Sequence, residues 1–143
     1  MSNKLRWPGL ALAVSLVALL AGCKALKGPE IVGSAFTGDE IRKVIVGNTL
    51  QGPYGTEMFD YYYAADGAVT GVVGAANDDS GTWLIKDDNV ICQDWDQFYG
   101  ATQHCYEFYK SSRSGQYIMK NVDAYRVEDI EIWEVIQGNP YNM

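Results

Sequence analysis

The chain has 143 residues, of which 11 are Lys or Arg and 18 are Asp or Glu, for a formal net charge of −7. That acid excess argues against a nucleic-acid partner, which needs a basic face, and a 48% apolar content argues against a disordered chain. The length suits one domain able to bury a core of its own, with or without a tail.

Residues 1–22 hold Lys4 and Arg6 and no acid, so the chain beyond them carries a net charge of about −9. Gly9 to Leu20 (GLALAVSLVALL) is a charge-free run of the length of a signal-peptide core. It falls short of the roughly 20 apolar residues of a membrane-spanning helix. The run closes on Leu20-Ala21-Gly22-Cys23, which resembles the lipobox of bacterial lipoproteins. The resemblance implies cleavage before Cys23, a diacylglycerol thioether on its sulfur and acylation, by palmitate for example, of the new N-terminus. Several acyl chains anchor stably where one is marginal. Lys24 stands where an Asp favours inner-membrane retention, which points to the periplasmic face of the outer membrane. The alternative is an ordinary cleaved signal with an incidental cysteine.

Three segments follow: a leader over 1–22, a lipidated tether over 23–35 and a single β-rich domain over 36–143. Within the domain, Phe36 to Gly47 predicts a short helix. Thr37 and Glu40 have capping-box spacing, Phe36 and Ile41 suit a hydrophobic staple, and Ile41, Val44 and Ile45 share a face. Beyond Asn48, short strands alternate with turn residues. The predicted strands are 58–64, 68–73, 82–86, 90–95, 104–110, 116–122 and 129–136. A hairpin turn falls at Asp66-Gly67, loops at 77–81 and 111–115, and turns at 87–89 and around Tyr99-Gly100. The fold class is mainly β: one helix, then a small antiparallel barrel or sandwich in a meander of about seven or eight strands.

With Cys23 assigned to lipid, Cys92 and Cys105 remain, and an even pair in an oxidising compartment reads as one disulfide. The loop it closes is worth about 3 kcal/mol. The spacing is far from the Cys-x-x-Cys of redox motifs. His104, the sole histidine, adjoins Cys105 in sequence and faces away from it on a strand, which disfavours a metal site.

The order Gly47-Asn48-Thr49, an aromatic strand ending Ala65-Asp66-Gly67, Gly81-Thr82-Trp83, Cys92 with Trp95, then Cys105 resembles a family of short exported bacterial proteins of unknown function. The resemblance covers about residues 36–110. It implies a small β-barrel-like domain without known enzymatic activity, and it carries over no catalytic residue.

The residues themselves point the same way. Most carboxylates fall in predicted turns, where they bond their own backbone. No Gly-x-Ser-x-Gly elbow accompanies His104. The glycines of 52–55 and 71–74 lack a Walker lysine and suit turns and bulges. Asn77-Asp78-Asp79 and Asp87-Asp88-Asn89 do not match a calcium loop. No catalytic residue, metal or cofactor is therefore assigned. Aromatic residues are the strongest signal. Three consecutive tyrosines on a strand must point to both faces, so Tyr61, Tyr62, Tyr63 and Trp95 are the candidate binding surface. The leading expectation is a non-catalytic envelope lipoprotein that binds an envelope protein, lipid or glycan. The alternatives are a calycin-like carrier of a small hydrophobic ligand inside a barrel and, third, a hydrolase.

Overall fold

The computed structural model describes residues 27–123 and 128–143; the leader, the lipobox with Cys23, and Lys24 lie outside the described residues. Among the described residues, ten strands and one α-helix form, and the strands join a single barrel-like sheet.

The helix, α1 (Gly38–Ile45), starts where its capping residues require. The Thr37 hydroxyl accepts from the Glu40 amide at 3.4 Å, and the Glu40 carboxylate accepts from the Thr37 amide at 2.8 Å and from its hydroxyl at 3.0 Å. The backbone bond from Thr37, then its side-chain bond, hold the Glu40 carboxyl below its ordinary value. Ile41 and Ile45 are wholly buried, each worth about 1.5–3 kcal/mol of apolar burial. Phe36, just before the cap, packs on Phe108 and Tyr117 with ring centroids 5.6 and 5.9 Å away.

After α1 the chain runs up and down: β2 (Asn48–Tyr54), β3 (Glu57–Tyr63), β4 (Ala68–Val73), β5 (Asn77–Lys86), β6 (Val90–Trp95), β7 (Gln103–Ser111) and β8 (Tyr117–Asn121), each antiparallel to the next. Two short strands, β9 (Ile130–Ile132) and β10 (Glu134–Gln137), flank Trp133. The first pairs with β8 and the second with β2, so one bent segment brings the two edges of the sheet together. At the bend, the Trp133 amide donates to the Gln51 carbonyl at 2.8 Å. Ile132 faces the core and so does Val135, three residues on, while Trp133 is exposed. The extra residue acts as a bulge and shifts the register. Gly52 makes the crossing possible: a Cβ there would strike the Glu131 carbonyl and the Phe59 ring.

Several expectations need correction. Residues 77–81, predicted as a loop, form the first half of β5. Its pairing with β4 overrides the turn propensity of Asn, Asp, Ser and Gly, and alternation buries Asp79 and Trp83 while Asp78 and Ser80 face out; Asn77, at the exposed end of the strand, shares the face of Asp79. β2 was not foreseen, because Gly52 and Pro53 read as turn residues. The single strand over 129–136 is broken at Trp133. Inside the segment taken as tether, β1 (Ile31–Val32) pairs with Ser111 and Lys110 of β7.

The strand directions sort the connections. Those at 55–56, 74–76 and 96–102 lie at one end, with the end of β8 and the start of β9, here termed the mouth. The hairpins at 64–67, 87–89 and 112–116 lie at the other. There α1 caps the barrel, its first amide donating from Gly38 to the Asp88 carbonyl. An eight-stranded circuit is just wide enough for side chains to fill. Phe59, Tyr61, Tyr63, Trp95, Tyr106 and Phe108 fill it, none more than 2% exposed.

Candidate functional site

Tyr61, Tyr63 and Trp95 are therefore core residues, not a surface. Of the four aromatic candidates, Tyr62 alone faces outward and is half-buried. The reason is the inward set Phe59, Tyr61 and Tyr63 on β3, which stacks against the β6 set: Tyr61 lies 4.7 Å from Trp95 and 4.4 Å from Phe59, centroid to centroid. Gly71, opposite Tyr61 on β4, leaves the space, since a Cβ there would come within 2.5 Å of the Tyr61 ring and 2.8 Å of Trp95. The polar ends of Trp95, Gln93 and Tyr63 find partners. The Trp95 indole donates to the Gln93 side-chain carbonyl at 3.0 Å, and the Gln93 amide donates to the Tyr63 hydroxyl at 2.5 Å. Burial pushes the Tyr61, Tyr63 and Tyr106 phenols well above their ordinary value.

At the mouth the filling stops. A cleft of about 610 Å³ opens between the β2–β3, β4–β5 and β6–β7 connections, lined by Tyr54, Glu57, Tyr61, Asp78, Phe98 and Tyr99 among others. Tyr54 and Tyr99, edge to face at 6.2 Å, separate it from a second cleft of about 460 Å³ that includes Phe59, Glu128 and Asp129. On the floor, the Tyr61 and Tyr99 hydroxyls are 2.9 Å apart. Burial pushes Tyr99 up to about 12.

The β6–β7 connection supplies Phe98 and Tyr99, and inward-facing polar residues hold it. One Asp79 carboxylate oxygen accepts from the Gln97 amide at 2.8 Å and the Phe98 amide at 2.7 Å. Burial raises the Asp79 carboxyl, but the amides of Phe98, Gln97 and Ser80 outweigh it and leave it below its ordinary value. Tyr99, Gly100 and Ala101 all have positive φ, 53°, 75° and 53°. Two left-handed non-glycine residues cost of order 1–3 kcal/mol each and persist only where the surroundings fix them. His104 supplies part of that fixation. Its Nε2 is 3.1 Å from the Tyr99 carbonyl and 3.0 Å from the Thr102 hydroxyl, and its Nδ1 is 3.5 Å from the Asp123 carboxylate.

Thr102, His104 and Asp123 thus fall in the order of a nucleophile, base and orienting acid. The Thr102 hydroxyl also donates to the Tyr99 carbonyl at 3.1 Å, so Thr102 and His104 meet at the same backbone oxygen, and the Asp123 carboxylate accepts from the Cys105 amide at 2.8 Å. His104 lies on β7 and ties that strand to the backbone of the mouth connection.

Cys92 and Cys105 are directly opposite on β6 and β7, with S–S 2.09 Å and Cα atoms 4.0 Å apart. They lie on the outer face of the hairpin whose tip is the mouth connection. Among the described residues, no three His, Cys, Asp or Glu side chains converge to hold a metal ion. Asp78 and Asp79 diverge because they are strand neighbours. Tyr54, Phe98 and Tyr99 were not singled out from sequence. The available signal was an aromatic pair beside a glycine inside the cysteine-bounded connection.

Scans against family models, curated proteins and solved structures return no match for this chain.

Proposed function

We propose that this protein is a non-catalytic cell-envelope lipoprotein, a binding module leashed through Cys23 to the periplasmic face of the outer membrane and presenting the barrel mouth to its ligand. The observation that carries the reading is the polarity of the barrel. The N-terminal segment joins at the helix-capped end, where the Ser112 amide donates to the Glu30 carbonyl at 2.7 Å. Cys23 precedes Glu30 by about seven residues, a reach of at most roughly 25 Å. An anchor at Cys23 keeps the capped end near the bilayer and turns the aromatic cleft outward. Tethering also raises the local concentration near envelope partners.

A carrier of calycin type, holding a hydrophobic ligand inside the barrel, has less support, because six aromatic side chains occupy that interior. A shallow version using the mouth alone remains the second reading.

The anchoring half is tested by fractionating cells that express the Cys23→Ser variant and measuring the mass of the native protein. The expected result is loss from the membrane fraction and, for the native protein, a mass equal to residues 23–143 plus lipid. Native protein with residue 1 in place and a bare Cys23 thiol would remove the reading.

A further inference from the structure

We infer that the mouth cleft takes a small organic cation, an ammonium or guanidinium group on a short apolar body. The inference rests on the reading of the mouth as the binding site and adds the ligand class. Its first support is shape and chemistry together. A cleft of about 610 Å³ lies in the range of small-molecule sites, and its lining combines the aromatic residues Tyr54, Phe98 and Tyr99 with Glu57 and, at its rim, Asp78. Aromatic faces attract cations through the ring quadrupole.

The second support is charge complementarity. Among the described residues, neither the lining of this cleft nor that of its neighbour includes Lys or Arg, and the neighbour adds Glu128 and Asp129. Neither Glu57 nor Asp78 forms an ion pair with another described residue. The opposite end carries Arg42 and Lys43 on α1, Lys86 at the end of β5, and Lys110 and Arg113 around the end of β7, offset by Asp39, Glu40, Asp66, Asp87 and Asp88, while Lys120 lies one residue from the mouth end of β8. It is the acidic lining of the two clefts themselves that favours positive ligands at the mouth. The third support is preorganisation. Asp79 and His104 hold the backbone of Phe98 and Tyr99, the Tyr61 hydroxyl holds the Tyr99 phenol, and the Phe98 ring packs on Trp95 at 5.2 Å, so little freedom is left to lose on binding.

The test titrates the full chain with hexylammonium, hexanol and hexanoate and follows backbone amide NMR shifts, with a Glu57→Gln/Asp78→Asn double variant alongside. Both replaced side chains are exposed, so the variant keeps the native spectrum elsewhere. Hexylammonium is expected to move the amides of residues 54–57, 76–78 and 97–99. Hexanoate is expected to leave them in place, and the double variant to bind hexylammonium about five-fold more weakly. If hexanol or hexanoate moves the same amides at equal concentration, or the variant binds unchanged, the cation assignment falls while the mouth remains a binding site. A lysine hexapeptide binding a hundred-fold tighter than hexylammonium overturns the small-ligand form in favour of a protein partner. If no probe moves the mouth amides, both the assignment and the mouth reading fall.

Discussion

The phenol oxygens of Tyr61 and Tyr99 meet at 2.9 Å, one from the barrel core and the other from the connection that roofs it. This contact joins the rigid and the adjustable parts of the molecule. Tyr61 is fixed by Phe59, Trp95 and the gap at Gly71, and Tyr99 is carried on a backbone with three successive positive φ values. The mouth is thus shaped from below by packing and from the sides by hydrogen bonds.

Neighbouring tyrosines should behave very differently. Tyr63→Ala removes a wholly buried ring and the partner of Gln93, and is expected to cost about 3–5 kcal/mol. Tyr62→Ala, on the outer face of the same strand, should cost about 1 kcal/mol or less. Urea midpoints of the two variants check this. A larger loss for Tyr62→Ala than for Tyr63→Ala would mean that β3 presents the opposite face to the core.

Asp79 anchors Gln97 and Phe98 through charge-assisted bonds, so Asp79→Asn is expected to cost about 1–2 kcal/mol at neutral pH. Its folded carboxyl lies below the ordinary value of 3.8. The stabilisation is therefore present above pH 3.8 and is lost as pH falls through the folded value. Stability curves of the two proteins should converge under acid. A gap that persists at pH 2 would assign the effect to shape rather than charge.

Alkali should act through the buried phenols. Tyr61, Tyr63, Tyr99 and Tyr106 are all raised from 10.0 by burial. The unfolded chain then releases its phenolic protons first. The stability these groups contribute is complete below pH 10 and declines above it, by up to about 1.4 kcal/mol per pH unit for each residue. Thermal unfolding between pH 9 and 11.5, followed with absorbance at 295 nm, should show phenolate appearing together with loss of structure. Ionisation of all tyrosines in a folded protein would contradict the burial.

The Cys92–Cys105 bridge closes the hairpin that carries the mouth connection. Its replacement by a Cys92→Ala/Cys105→Ala pair should lower stability by about 3 kcal/mol. The fold should survive, because the β6–β7 ladder and the aromatic core do not depend on the bridge. Denaturant midpoints together with the amide spectrum check both halves. A collapsed spectrum under native conditions would make the bridge a requirement for folding.

Much of this architecture was legible residue by residue. The Thr37–Glu40 cap, the Asp66-Gly67 hairpin, the strand at Val90–Trp95 and the opposition of Cys92 to Cys105 each depend on local spacing, and local spacing is what a sequence carries. The failures share another cause. Asn77–Gly81 became a strand, and Gly52 and Pro53 entered β2, because partners distant in the chain satisfied their backbone.

The amino-acid sequence by itself determined the period-two alternation, the helix cap, the cysteine pair and an acid excess, since these follow from the chemistry of neighbours along the chain. The tertiary structure decided which of three adjacent tyrosines enters the core, where the barrel closes on Trp133 and which end remains open. Those outcomes depend on strand register and on the volume enclosed by the whole sheet. Register and volume are set by contacts between residues far apart in sequence, which no local pattern encodes.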